Sequence, residues 1–254
     1  MTGATSPGPP LLLVHGAFCG AWAWEALRRP WERAGHACVA LDLPGHAPGD
    51  RAMAVAGRSL RDYADAVVEA ARALPGAPVI VGHSMGGLVA QIAAARTPVA
   101  GLVLLAPSPA WGQTESAGME FAAGLALTAL RGPWWLQALE PEWPVVRQFT
   151  MDRLPGPEAR ALFARMVAES GRAVFEITNW WLDPTFAAAA PTLDLPALVL
   201  VGEHDQVNPP EVARATARRL RAEHRVLPGR SHWLLGDDSG EDGVCEAVLA
   251  WLGG

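Results

Sequence analysis

Pro78-Val79-Ile80-Val81-Gly82-His83-Ser84-Met85-Gly86-Gly87-Leu88-Val89-Ala90-Gln91-Ile92-Ala93-Ala94-Ala95 joins an apolar run, a glycine-flanked serine and a helix-forming stretch without a break. Residues 82–86 read G-x-S-x-G between a strand and a helix, the setting of a nucleophile elbow. A turn this sharp brings its flanks into collision, so Gly82 and Gly86 leave room while Ser84 projects its hydroxyl above the sheet. Ser84 is the candidate nucleophile.

A hydroxyl at its ordinary pKa attacks poorly and needs a general base, which in turn needs an orienting group. In hydrolases with this elbow the chain order is serine, acid, histidine, the acid ending a later strand and the histidine lying in a loop near the C-terminus. Ala197-Leu198-Val199-Leu200-Val201-Gly202-Glu203-His204-Asp205 is a strand running into a polar turn, and Pro228-Gly229-Arg230-Ser231-His232-Trp233 is a turn after the short strand around Arg225-Val226-Leu227. Asp205 is thus the expected carboxylate and His232 the expected base. Glu203 competes for the acid role from two positions earlier, on the same side if the strand continues but set deeper. His83, adjacent to Ser84 across the elbow, points away from the nucleophile and is expected to pack. His15 closes a strand at a His-Gly turn and is expected to make a structural hydrogen bond. His36, His46, His204 and His224 belong to no motif, and solvated or capping roles are expected for them.

Acyl transfer also needs donors for the developing oxyanion. One comes from the residue after the nucleophile, Met85, and the other from the loop after an early strand. In Leu11-Leu12-Leu13-Val14-His15-Gly16-Ala17-Phe18 the second donor is the Ala17 N–H, with the neighbouring Phe18 left open.

Taken together, His15-Gly16-Ala17-Phe18, Asp42-Leu43-Pro44-Gly45-His46, Gly82-His83-Ser84-Met85-Gly86-Gly87, Gly202-Glu203-His204-Asp205 and Gly229-Arg230-Ser231-His232 give a chain that resembles the alpha/beta-hydrolase superfamily over nearly its whole length. Between Val14 and Leu43, with Gly20-Ala21-Trp22-Ala23-Trp24 and Ala34-Gly35-His36, it is most similar to the compact esterase branch that includes plant methylesterases and hydroxynitrile lyases. The resemblance implies an α/β sheet of six strands, because the sequence ahead of the His15 strand is too short for the two N-terminal strands of the full family sheet. It also implies a helical cap over the site. Serine at position 84, where haloalkane dehalogenases and epoxide hydrolases of the superfamily use aspartate, disfavours both chemistries. All 20 positively charged residues are arginine, so Schiff-base chemistry is absent, as is the cap lysine that hydroxynitrile lyases of this branch use for cyanide.

Short β-rich runs alternate with helix-patterned stretches, as βα units of a parallel sheet do. Strands are expected at Leu11 to His15, Ala37 to Leu41, Val79 to Gly82, Val99 to Leu105, Ala197 to Gly202 and Arg225 to Leu227. Helices are expected from Ser59 to Ala70, opened by Ser59, and at Pro209 to Arg221 and Glu241 to Leu252. The domain reading is a flexible tail over 1–10, a hydrolase core over 11–107 and 191–254, and a helical cap over 108–190. About 90 residues separate the strand ending at Leu105 from Ala197, too many for a structureless loop. Pro and Gly punctuation leaves room there for about four helices. The cap's most apolar stretch, Phe121 to Leu130, falls short of the roughly 20 residues of a membrane span and reads as a buried cap helix. Trp111, Trp134, Trp135, Trp143, Trp180 and Trp181 lie in this insert, six of the chain's 11 tryptophans. They either pack the cap onto the sheet or line an apolar pocket. Phe18, Trp180, Trp181 and Trp233 are the substrate-contact candidates, with at most one of Trp180 and Trp181 facing inward on a helix.

At 254 residues and 50% hydrophobic, the chain can bury a core of its own. A net charge of −6 without a basic cluster gives no footprint for nucleic acid or for acidic membranes. The opening residues 1–10 lack the positive and apolar regions of a secretory signal. Cys19, Cys38 and Cys245 have no metal-ligand spacing and read as reduced thiols, which fits a cytoplasmic location. No metal or organic cofactor is implied. The expected function is a serine hydrolase acting through an acyl-enzyme on a small to medium, largely apolar carboxylic ester. Thioester cleavage, acyl transfer, carbon–carbon hydrolysis, perhydrolysis, and a ligand-binding receptor on the same fold are the alternatives, since a fold by itself selects none of them.

Overall fold

Six parallel strands form the central sheet of the computed structural model, which describes residues 8–113, 132–236 and 243–253. In chain order the strands are Leu11–Val14 (β1), Cys38–Leu41 (β2), Val79–His83 (β3), Gly101–Leu105 (β4), Ala197–Gly202 (β7) and Glu223–Leu227 (β8). Two two-residue strands, Ala138–Leu139 (β5) and Glu169–Ser170 (β6), pair antiparallel with each other in the segment between β4 and β7. The sheet order is β2-β1-β3-β4-β7-β8. Its four inner strands are buried at every position, as both-face coverage by helices demands of a parallel sheet. The outer strands β2 and β8 are only partly covered.

The period-2 alternation of strand side chains divides the core into two halves. Leu12, Val14, Ile80, Leu102, Leu104, Val199 and Val201 face helices Leu60–Arg72 (α2), Met85–Ala94 (α3) and Pro210–Leu220 (α6). Leu11, Leu13, Val79, Val81, Val103, Leu105, Leu198 and Leu200 face Glu25–Arg33 (α1) and Val244–Gly253 (α7). Helix α2 begins where its sequence says it should. Ser59 accepts from the Asp62 N–H while the Asp62 carboxylate accepts from the Ser59 N–H, a capping box that satisfies two otherwise orphaned donors.

The expected elements are present with shifted ends. The strand expected from Val99 starts at Gly101, the one expected from Arg225 starts at Glu223, and the last helix starts at Val244 rather than Glu241. The larger difference is in the segment between β4 and β7. Among its described residues only two helices reach eight residues, Gly156–Phe163 (α4) and Gly171–Thr178 (α5). The frequent prolines and glycines break the rest into single turns and the β5–β6 pair. Trp180 and Trp181 lie on one of those 3-10 turns, not on a long helix. The apolar stretch Phe121 to Leu130 lies outside the described residues. Among the described residues no helix is long and apolar enough to cross a membrane.

Candidate active site

The elbow owes its shape to two absent side chains. A Cβ on Gly82 would collide with the Gly86 carbonyl, and one on Gly86 with the carbonyls of Val14 and His15. Between them Ser84 takes φ +53°, ψ −121°, outside the regions L-residues favour, and its main chain is fixed by the Ser84 N–H donating to Leu105 O at 2.9 Å. The helix α3 starts directly after it, so the serine stands above the C-terminal end of β3.

His232 Nε2 lies 3.0 Å from Ser84 Oγ, and His232 Nδ1 lies 2.9 Å from Asp205 Oδ2. With the carboxylate accepting from Nδ1–H, Nε2 is left as the acceptor for the serine hydroxyl. Ser84, Asp205 and His232 are all buried. The other Asp205 oxygen accepts from the N–H groups of Val207 and Asn208, both at 2.9 Å, so the acid is oriented by its own loop. Asn208 Nδ2 in turn donates to Ala106 O at 2.9 Å, linking the acid loop to the end of β4. Glu203 is not deeper than Asp205. Its side chain is about half exposed and accepts from the Gly229 N–H at 2.9 Å, which braces the turn leading to His232.

His83 packs against His232, with ring centroids 5.0 Å apart, and its Nε2–H donates to the His232 carbonyl at 3.0 Å. Burial, with help from the nearby His232, drives its pKa down to about 3, so it is a neutral donor. The Trp233 N–H donates to Thr150 O at 3.1 Å, which ties the histidine loop to the inserted segment.

On the other side of the elbow, Gly16 approaches so closely that a Cβ there would lie 3.1 Å from Ser84 Cβ. Ala17 directly follows this point of close approach to Ser84. Among the described residues the N–H groups of Ala17 and Met85 have no hydrogen-bond partner, whereas the Phe18 N–H donates to Glu169 Oε2 at 3.3 Å. His15 braces the loop from behind: its Nδ1–H donates to Gly16 O at 2.8 Å and its Nε2 accepts from the Leu43 N–H at 3.1 Å. Burial, then the charge of His46, lowers His15 to about 3.

The reading of His46 as solvated or capping needs correction. Its side chain is fully buried, 3.0 Å from Glu169 Oε2, and its ring lies 4.9 Å from that of His15. Glu169 Oε1 accepts from Tyr63 Oη–H at 2.7 Å and from the Ser170 N–H at 2.6 Å. Burial alone would neutralise both groups, but their hydrogen bond and mutual charge prevail, holding Glu169 below and His46 above the ordinary range. No sequence pattern singled out Glu169. The one available signal was a glutamate in the weakly polar run Met166-Val167-Ala168-Glu169.

The three tryptophan candidates are not gathered in one place. Trp180 is half-buried and packs edge-on against Trp111 at 5.3 Å, while its neighbour Trp181 is 61% exposed. Trp233 is buried on the opposite half of the core, stacked on Trp22 at 6.2 Å. It lines a cavity of about 220 Å³ with Arg153, Leu154 and Arg230, to which none of Ser84, Asp205 and His232 contributes. Among the described residues no group of three or more His, Cys, Asp or Glu side chains is arranged to hold a metal ion.

A sequence model of the Alpha/beta hydrolase family matches residues 11–247. The chain belongs to that family. The chain is 29% identical to Methylesterase 8 of Arabidopsis thaliana over 151 residues, 56% of this chain and 53% of that protein. It is 38% identical to the pimeloyl-(acyl-carrier protein) methyl ester esterase of Aromatoleum aromaticum over 127 residues, 49% of this chain and 48% of that one. The chain thus spans about half the length of these curated relatives. Among solved structures it is similar to an esterase from Exiguobacterium antarcticum, with a TM-score of 0.74 at 16% identity, covering 98% of this chain and 94% of that one. Polyneuridine aldehyde esterase gives a TM-score of 0.66 at 16% identity, covering 96% and 98%. At such identities the likeness carries the fold.

Proposed function

We propose that this chain is a serine hydrolase that cleaves a small to medium, largely apolar carboxylic ester through an acyl-enzyme, with the segment between β4 and β7 acting as a cap. The single observation that carries the reading is the relay Ser84 Oγ, His232 Nε2, His232 Nδ1, Asp205 Oδ2, two hydrogen bonds of 3.0 and 2.9 Å through one imidazole. A hydroxyl hydrogen-bonded to a carboxylate-oriented imidazole is a nucleophile in waiting.

In the first half-reaction Ser84 Oγ bonds to the ester carbonyl carbon as its proton passes to His232 Nε2. The carbonyl oxygen gains the negative charge and receives hydrogen bonds from the N–H groups of Ala17 and Met85, which need not give up a protein partner to make them. When the tetrahedral adduct collapses, the C–O bond to the alcohol breaks and the alcohol leaves with the proton from His232. Water then attacks the acyl carbon and gives a proton to His232. The second collapse breaks the bond to Ser84, and the proton returns to Ser84 Oγ as the acid departs. Asp205, accepting from His232 Nδ1–H, stabilises the imidazolium.

Two of the relatives carry methyl esters or methylesterase in their names, so methyl esters head the substrate panel. The test is reaction with a fluorophosphonate followed by mass mapping, alongside steady-state hydrolysis of p-nitrophenyl acetate and of methyl esters of graded acyl length. Modification of Ser84 with sustained turnover is the expected result. Modification elsewhere with Ser84 untouched, or a single stoichiometric burst on every ester, would overturn the reading.

A further inference from the structure

Phe18 directly follows the proposed oxyanion donor Ala17 and takes φ +63°, the left-handed region that a residue with a side chain adopts only when something holds it there. What holds it comes from the inserted segment. The Phe18 N–H donates to Glu169 Oε2 at 3.3 Å, and the Phe18 carbonyl accepts from the Val167 N–H at 2.9 Å. Both main-chain groups of Phe18 are therefore gripped by residues 167–169. Glu169 is itself immobilised. It is fully buried, and besides Phe18 it accepts from His46, Tyr63 and its neighbour Ser170, so its carboxylate spans the core and the inserted segment. His46 in turn touches His15, the residue that opens the same loop. The loop Gly16-Ala17 is thus fixed at its entrance by His15 and at its exit by Phe18, and both anchors lead to Glu169.

We propose that Glu169 is a positioning residue for catalysis: reaching in from the inserted segment, it fixes the main chain of Phe18 and so aims the Ala17 N–H at the carbonyl oxygen of an acyl group on Ser84. The proposal rests on the ester-hydrolase reading above. It makes the oxyanion site depend on the seating of the inserted segment, so the hole is complete only when residues 167–169 are docked. It also removes the Phe18 N–H from the pair of possible oxyanion donors, because that N–H is already engaged.

A glutamine at this position cannot replace the carboxylate. Glu169 accepts at both oxygens, from Phe18 and His46 at one and from Tyr63 and Ser170 at the other, and an amide offers only one acceptor oxygen, so its NH₂ must face either the Phe18 or the Ser170 N–H. The control is a second buried carboxylate of the same segment. Glu176 accepts from the Leu60 N–H at 2.8 Å and pairs with Arg172, tying the segment to the start of α2 without touching the oxyanion loop.

The experiment compares Glu169→Gln, Glu169→Asp and Glu176→Gln in the full chain. For each variant kcat and KM are measured on p-nitrophenyl acetate, together with inhibition by an aryl trifluoromethyl ketone, whose hemiketal on Ser84 carries an oxyanion. Loss of one oxyanion donor costs about 10²- to 10³-fold in kcat elsewhere, and a misaimed donor should cost about 10- to 100-fold. Glu169→Gln and Glu169→Asp should lose that factor in kcat, with KM within about twofold and the ketone weakened in parallel. Glu176→Gln should lower the melting temperature and leave both kcat and ketone affinity unchanged. An unaltered kcat in both Glu169→Gln and Glu169→Asp when folded, or an equal loss in Glu176→Gln, would overturn the positioning role while leaving the hydrolase reading intact. Failure of both Glu169 variants to fold where Glu176→Gln folds would make Glu169 a determinant of folding and also overturn it. If the unaltered protein neither turns over esters nor reacts with fluorophosphonate at Ser84, the hydrolase reading fails first and takes this proposal with it.

Discussion

Among its described residues the protein buries two histidine–carboxylate pairs of almost identical length, Asp205 with His232 at 2.9 Å and Glu169 with His46 at 3.0 Å, yet they sit in opposite chemical situations. Beyond His232 stands the hydroxyl of Ser84 at 3.0 Å, whereas His46 Nδ1 is buried with no partner among the described residues. Asp205 takes its main-chain donors from neighbours two and three residues away, whereas Glu169, besides the adjacent Ser170 N–H, is held by Phe18, His46 and Tyr63, each more than a hundred residues away in the chain. The pair alone therefore does not make a catalytic site. What the imidazole faces on its far side decides whether it moves a proton or holds two parts of the fold together.

The largest expected effect breaks the pair that faces Ser84, the proposed nucleophile. Ser84→Ala and Asp205→Asn should each lower kcat by about 10⁴-fold or more on any ester the protein hydrolyses, without additivity between them and with the melting transition nearly unchanged. If Asp205→Asn kept near-normal turnover while Glu203→Gln lost it, the acid would have been assigned to the wrong residue.

Breaking the second pair should act on stability instead. Removing one member leaves an uncompensated charge in the core, so His46→Leu should cost about 3–5 kcal/mol in urea denaturation. The double change Glu169→Leu with His46→Leu should cost less than the sum of the singles, because neither charge is then stranded. Additive losses would show that the two groups do not act as a pair.

Acidity gives a gentler version of the same test. Glu169 is held below its ordinary range in the folded protein, so its contribution is present above the unfolded value of about 4.3 and is lost as pH falls through the lowered one. His46 is held above its ordinary range, so its contribution is complete below about 6.5 and is lost as pH rises through the raised value. His15 and His83, buried and neutral at about 3, add to the loss on the acid side, because only the unfolded chain takes up their protons. The stability difference between the protein and His46→Leu should therefore be largest from about pH 4.5 to 6.5 and shrink toward alkaline pH. Melting curves across pH that keep a constant difference up to pH 9 would contradict the raised His46.

The smallest effect concerns the aromatic residues. Trp181 is 61% exposed, so Trp181→Ala should shift stability by no more than about 0.5 kcal/mol. Buried Trp233 should cost about 3–5 kcal/mol on truncation. If Trp181→Ala nevertheless changes the kcat/KM ratio of a short to a long ester, that side chain touches substrate. If Trp233→Ala changes stability alone, Trp233 is packing.

The sequence by itself determined the sheet, the elbow and the order of the candidate triad, because each rests on local information. Strand periodicity, a glycine on either side of Ser84, and a polar turn at the end of an apolar run are all readable within about a dozen residues. Asp205 was legible for the same reason, since its own loop supplies the donors that orient it. Only the tertiary structure decided the roles of Glu169, His46 and Phe18. Glu169 finds its donors at Phe18, His46 and Tyr63, up to 151 residues away along the chain, and His46 is buried among His15, Tyr63 and that carboxylate, which arrives from another part of the chain. Tertiary structure likewise placed Trp180, Trp181 and Trp233 in different environments, since burial of a side chain off the regular strands depends on what folds over it. Local pattern reaches as far as a turn of backbone constrains its neighbours, and a charge buried in the core is held by whatever the fold brings across to it.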